Sequence, residues 1–214
     1  MRAAAWCRAD VGTAALGCPR GEQPGSRWHE FRETRNVITM APTRLSYEES
    51  CRRLCGDPRC SIPPMPDHRP GFDDPQPLGM NFYRTLIDET LNFTSLTLPR
   101  TFFGRSEIRK TSFQNADLRE SSLRWNDFLD VDFTGAELTG SDMRSSNFER
   151  VKFAGTDLNS ADMRRSWFRK CAFDGALMRG TILTRHQGST LTLSPQQQAV
   201  IDWRDDDGPE PEGG

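Results

Sequence analysis

The chain has 214 residues with 28 Lys and Arg against 30 Asp and Glu, a formal charge of −2, and only 35% of its residues are hydrophobic. That balance points neither to a polyanionic ligand nor to an acidic mimic, and no run of about 18 apolar residues exists to cross a bilayer. With a mean hydropathy of −0.68, a folded core has to come from few apolar residues placed economically.

Residues 1–44 read as a flexible leader. The opening MRAAAWCRADVGTAALGC is charged at its start, but Arg8 and Asp10 interrupt the apolar region that a signal peptide needs, about 7–15 residues long. Ala15 stands where a lipoprotein signal carries Leu before Cys18. Residues 1–39 show no periodicity, and Met40 is an alternative natural start. Without an export signal, a reducing cytoplasm is the expected setting. Five of the six cysteines lie in the first 60 residues. Cys51, Cys55 and Cys60 with His68 admit three readings: a zinc site, a disulfide, or ordinary reduced thiols, the last being the default in a cytoplasm. The spacing is not a usual zinc knuckle, so no metal ligand is assigned.

Residues 45–79 read as a short helix followed by a linker. Ser46 is the N-cap and Glu49 completes a capping box; Gly56 and Pro58 stop the helix after Cys55. Residues 1–79 hold ten of the fourteen prolines, and 61–79, SIPPMPDHRPGFDDPQPLG, can be neither helix nor central strand.

From Phe93 the character changes. Every fifth residue through Leu183, nineteen in all, is large and apolar. A period of five suits neither a helix nor a flat strand. From position 111 on, a small or β-branched residue stands two before the large one: Thr111, Ala116, Ser121 and onward, with Cys171 among them as a small buried hydrophobe. A second period of twenty is visible. Phe93, Phe113, Phe133, Phe153 and Phe173 form one column; Phe128, Phe148 and Phe168 continue another that begins at Ile108.

Blocks such as ADLRE, AELTG, TDLNS and ADMRR resemble the pentapeptide-repeat family over about 95 residues. The resemblance implies an all-β fold, a right-handed quadrilateral β-helix with one pentapeptide per side. Residues 80–193 are expected to form it, with nearly five full coils and a half-formed coil near 78–90 in which Tyr83 joins the columns and Asp88 breaks them. At about 4.8 Å per coil, the rod is on the order of 20–25 Å long. Residues 194–203 read as a C-terminal capping helix, with Ser194 as N-cap, Pro195 at the first position, and Ala199, Val200 and Trp203 folded over the last coil. Residues 204–214 read as a disordered acidic tail.

No phosphate-binding loop, HExxH or GxSxG motif occurs, and His29, His68 and His186 sit in no motif. No catalytic residue and no cofactor are expected, because side chains fill the rod interior. Function belongs on the outer surface. There the register aligns Arg124, Arg144 and Arg164 beside Arg105, Trp125, Arg165 and Arg185 as a basic ridge, with Trp167 also facing out. Stripes of Asp117, Glu137, Asp157, Asp142 and Asp162 lie next to it.

The best reading is a non-enzymatic module, monomer or homodimer, that binds a protein partner, such as an immunity or accessory factor in bacteria. An alternative comes from the resemblance: some family members mimic B-DNA and bind DNA gyrase. That requires an acidic rod, whereas residues 91–185 carry 15 Lys and Arg against 12 Asp and Glu. Direct nucleic-acid binding is disfavoured by the interleaved acids.

Overall fold

The computed structural model describes residues 43–57, 59, 61–71 and 79–205. Most of the expected leader, most of the acidic tail, Pro58, Cys60 and residues 72–78 of the linker lie outside them. Residues 80–204 wind into a parallel-strand β-solenoid of about six turns, rather than nearly five, because the winding extends past the repeat at both ends.

The twenty-residue period is a backbone register. Strands β4 (Glu107–Arg109), β5 (Asp127–Leu129), β6 (Asn147–Glu149) and β7 (Trp167–Arg169) pair in parallel, with Ile108 on Phe128, Phe148 and Phe168 in turn. On the other faces, single bridges step by twenty as well: Asp117 to Glu137 to Asp157, and Asp132 to Lys152 to Ala172. The chain turns at every fifth residue, where φ is positive, even at non-glycine positions such as Arg105, Trp125 and Arg165. Gly135 and Gly155 relieve that left-handed geometry at one corner, where no Cβ is strained.

The core columns explain the period. Phe93, Phe113, Phe133, Phe153 and Phe173 stack with ring centroids 4.4–5.5 Å apart, and Phe128, Phe148 and Phe168 stack at 4.7–5.1 Å. The two stacks meet edge-on, Phe128 to Phe133 at 5.8 Å. Each stack buries large apolar area and takes the favoured offset and T-shaped geometries. In the turn that starts at Phe93 the second ring is Phe103, on the third face, next to Ile108 on the fourth. From the next turn the ring moves to the fourth face at Phe128, and Leu123 takes the third. Cross-sectional volume is thus kept while the ring changes side.

The small residues have a second role besides leaving room. Ser146 Oγ donates to Leu123 O at 2.8 Å, Thr156 Oγ1 to Phe133 O at 2.8 Å, and Ser166 Oγ to Met143 O at 2.6 Å. Ser146 Oγ also accepts from the amide of Asn126 at 3.1 Å. Each hydroxyl satisfies buried backbone groups of the turn before it. Cys171 holds the same position, its Sγ 3.4 Å from Phe148 O, and burial raises its thiol pKa.

The first turn corrects the expected register. Strands β1 (Asn81–Tyr83) and β2 (Leu86–Ile87) pair with β3 (Phe102–Gly104) and β4 twenty-one residues on, so Phe82 and Ile87 enter the columns, not Tyr83. One extra residue is absorbed between Ile87 and Phe93. There Asp88 accepts from Thr90 N–H at 3.0 Å and Oγ1 at 2.6 Å, and Leu91 N–H reaches Asp88 O at 3.1 Å.

Helix α1 (Tyr47–Cys55) has the expected Ser46–Glu49 capping box and packs on the solenoid as an N-terminal cap. Ser50 Oγ accepts from Thr97 N–H at 2.8 Å, replacing the missing strand above it. The Pro-rich stretch is likewise held: Arg100 donates to Pro66 O at 2.7 Å, and Arg69 to Gly140 O at 3.1 Å. Cys51 is buried and free, while Cys55 is disulfide-bonded, which overturns the reduced-thiol default for Cys55.

At the C-terminus, β8 (Ile182–Thr184) runs into α2 (Arg185–Thr190), a helix the repeat pattern does not announce. Helix α3 (Pro195–Val200) is shorter than the expected 194–203, and Trp203 sits on β9 (Asp202–Arg204), paired with Leu183. Trp203 thereby enters the third column. Its ring lies over Gly188, where any Cβ would collide with it, so the column residue after Phe168 has no side chain.

Candidate protein-interaction face

The third face carries an ionic ladder. In Asp142–Met143–Arg144 the central residue points inward and its two neighbours point out together. Arg144 Nη2 and Nε bind Asp142 at 2.7 and 2.9 Å, and Arg144 Nε lies 3.5 Å from Asp162 on the next turn. Arg164 repeats the pair with Asp162 at 2.8 Å, and Arg124 lies 3.8 Å from Asp142. The hydrogen bond to Asp142 raises the Arg144 pKa above its usual value. On the second face Arg119 pairs with Asp117 at 2.7 Å and reaches Glu137 at 3.4 Å. Arg124, Arg144 and Arg164 are thus cations within an alternating column, and Arg124 is only 5% exposed.

At the corner between the third and fourth faces, Arg105 lies over the Trp125 ring at 4.9 Å and Arg124 at 6.0 Å, both within cation–π range. Trp125 holds φ +62, a conformation that costs a bulky side chain about 1–2 kcal/mol.

The fourth face is the paired sheet β2-β4-β5-β6-β7. Its outer column runs Leu86, Glu107, Asp127, Asn147, Trp167. Trp167 is 69% exposed, the most exposed large apolar residue described. Helix α2 borders the sheet beyond Trp167, and the two line an open groove of about 1380 Å³ that also includes Arg165, His186 and Asp205. Arg185, expected on the same ridge, pairs with Asp205 at 3.0 Å.

The structure therefore divides the expected surface. Arg124, Arg144 and Arg164 form the ladder, Arg105 and Trp125 a stack beside it, and Arg165 and Trp167 line the groove. Sequence reasoning missed α2 and with it His186. The available signal was Thr184-x-x-Gln187, the same cap pattern as Ser194-x-x-Gln197. No cluster that fits a metal ion occurs among the described residues, and no described helix is long and apolar enough to cross a membrane.

Residues 92–124, 126–150 and 146–185 match the family model described as pentapeptide repeats, in 8 copies. This region of the chain belongs to the pentapeptide-repeat family. Among solved structures the chain is similar to HetL, a pentapeptide repeat protein involved in heterocyst differentiation regulation from the cyanobacterium Nostoc sp. PCC 7120. Identity is 14%, the TM-score is 0.47, and 48% of each chain is covered, so the match spans about half of HetL. It is also similar to alr5209, a pentapeptide repeat protein from Nostoc PCC 7120, at 21% identity, TM-score 0.40, covering 48% of this chain and 84% of that one. A third is full-length QnrB1, a plasmid-mediated fluoroquinolone resistance protein, at 12% identity, TM-score 0.28, covering 58% and 78%. No curated protein matches the chain.

Proposed function

We propose that the chain is a non-enzymatic protein-interaction module, monomer or homodimer, whose solenoid presents side chains to a protein partner on its outer faces. The observation that carries this reading is Trp167, 69% exposed on a hydrogen-bonded sheet beside a helical wall. An exposed Trp on a rigid floor is a typical interface anchor. The filled interior supports the absence of catalysis, since Phe93, Phe113, Phe133 and Phe153 are fully buried and leave no substrate pocket inside.

The gyrase-directed alternative requires an acidic rod, and the repeat carries 15 cations against 12 anions. A supercoiling assay with gyrase tests it: inhibition at micromolar protein would favour the mimic over the proposed reading.

Affinity capture from native lysate, followed by calorimetry with the purified captured protein, tests the module directly. Wild type is expected to bind one protein saturably, and the Arg124→Glu/Arg144→Glu/Arg164→Glu and Trp167→Ala variants separate the ladder from the groove. No protein enriched over a heat-unfolded control would overturn the reading.

A further inference from the structure

The cations of the repeat are unevenly placed. Residues 161–185 hold six, Arg164, Arg165, Arg169, Lys170, Arg179 and Arg185, against two carboxylates, Asp162 and Asp174. Residues 91–160 hold nine cations against ten anions. The net positive charge of the repeat therefore sits in its last turn and a quarter, a slab on the order of 5–10 Å thick.

On the fourth face that turn carries the exposed Trp167, with Arg165 at one corner and Arg169 and Lys170 at the other. Arg164, Arg169 and Arg185 have carboxylate partners in Asp162, Glu149 and Asp205, whereas Lys170 and Arg179 make no ion pair among the described residues. Helix α2 borders the turn on its C-terminal side with His186, and on the N-terminal side the groove is lined by Asp127, Glu149 and Glu107.

This geometry selects the shape of an anionic ligand. A polyanion lying along the solenoid axis runs from the cations onto Glu149, Asp127 and Glu107, and like charges that close repel it. A nucleic-acid duplex, charged continuously along its length, meets that obstacle. A short anionic segment lying across the axis, parallel to the last turn, meets the cations and Trp167 and passes only Glu149 and Asp205, which Arg169 and Arg185 already pair.

We propose that the groove of the last turn docks a short acidic segment of a partner protein in extended form, with one of its apolar side chains on Trp167. This rests on the protein-interaction reading and names the chemistry of the partner. Charge complementarity sets the approach and its salt dependence, and the Trp sets the register.

The test uses the full chain and a fluorescein-labelled decapeptide, Glu-Asp-Glu-Phe-Glu-Asp-Glu-Phe-Glu-Asp, in fluorescence polarisation at low and physiological salt. The comparison ligands are the same peptide with Lys for each acid and a 12-base-pair DNA duplex. Saturable micromolar binding of the acidic peptide is expected, weakened about tenfold or more by Trp167→Ala and by Arg165→Glu/Lys170→Glu. Trp167→Tyr restores most of it. At physiological salt the same charge change three turns away on this face, Arg109→Glu/Lys110→Glu, is expected to alter the affinity less than about twofold, because those charges lie beyond a Debye length of about 8 Å from the last turn. No saturable binding, an equal loss in the remote variant, or a duplex bound as tightly as the peptide would each overturn the proposal. Such a failure while lysate capture persists removes this site alone and leaves the module reading standing.

Discussion

Gln187 and Gln197, ten residues apart, make the same set of hydrogen bonds and close the end of the solenoid twice. Gln187 Oε1 accepts from Thr184 N–H at 2.8 Å, and its Nε2 donates to Met163 O at 2.9 Å and Ser166 O at 2.8 Å. Gln197 Oε1 accepts from Ser194 N–H at 2.9 Å, and its Nε2 donates to Phe173 O at 2.7 Å and Ala176 O at 3.1 Å. One side chain completes the helix cap and also satisfies two carbonyls that the next turn would have covered. Glutamate serves a capping box equally well but has no donor for those carbonyls. Gln197→Glu is therefore expected to cost about 2–4 kcal/mol at pH 7, more than Gln197→Ala. Thermal unfolding checks the order wild type, Ala, Glu; a Glu variant as stable as wild type contradicts the account.

The change of side between Phe103 and Phe128 predicts a compensating pair. Leu123→Phe alone overfills its turn, and Phe128→Ile alone leaves a cavity, each costing about 1–3 kcal/mol. Together they recreate the Phe103–Ile108 arrangement of the preceding turn. A double-mutant cycle by denaturant unfolding is expected to show the double variant within about 1.5 kcal/mol of wild type. Strict additivity would contradict the volume argument.

Stability is expected to fall in acid. Arg150 holds the Asp130 carboxyl below its usual range, and hydrogen bonds from Arg169 do the same for Glu149. Asp132 is also lowered, because hydrogen bonds from Thr134 and Gln114 outweigh its burial. The unfolded chain binds more protons than the folded one, so this stability is present above the ordinary carboxylate pKa of about 4 and is lost as pH falls through the lower folded values. Melting temperatures are expected to be flat from about pH 7 to 5 and to drop below about 4, less steeply in 1 M salt. A rise in stability below pH 4 would contradict these pairings.

Cysteine reactivity separates two environments. Burial raises the thiol pKa of both Cys51 and Cys171, and Cys55 is disulfide-bonded. Native protein is expected to release the Cys51 and Cys171 thiols to an aromatic disulfide reagent only on unfolding. In guanidinium without reductant, at most four of the six cysteines are expected to react. Six would show that Cys55 is reduced.

The solenoid was legible because its two periods are carried by side chains that face inward, where volume leaves little choice. Phe133 has one place to go. The first turn was misread because one residue between Ile87 and Phe93 is taken up by a side-chain turn at Asp88, which no periodicity records. Helix α2 was missed for a different reason: Arg185–Thr190 is six residues long with no apolar stripe, and its buried member is the polar Gln187. On the surface, the columns of Arg124, Arg144 and Arg164 were readable, but their partners were not separated from them. Asp142 and Arg144 flank one inward residue and so must emerge side by side, which turns a ridge of like charge into an alternating ladder. Trp167 was placed outward correctly by register, yet the wall beside it depends on α2.

Amide hydrogen exchange on the complex with the captured partner tests the central claim most directly. Binding at the last turn is expected to slow exchange in peptides covering 165–170 and 184–190, leaving those covering 107–110 and 127–130 unchanged. Protection confined to the second face around Asp117 and Glu137, or none within the solenoid, would contradict the assignment of this groove as the binding face.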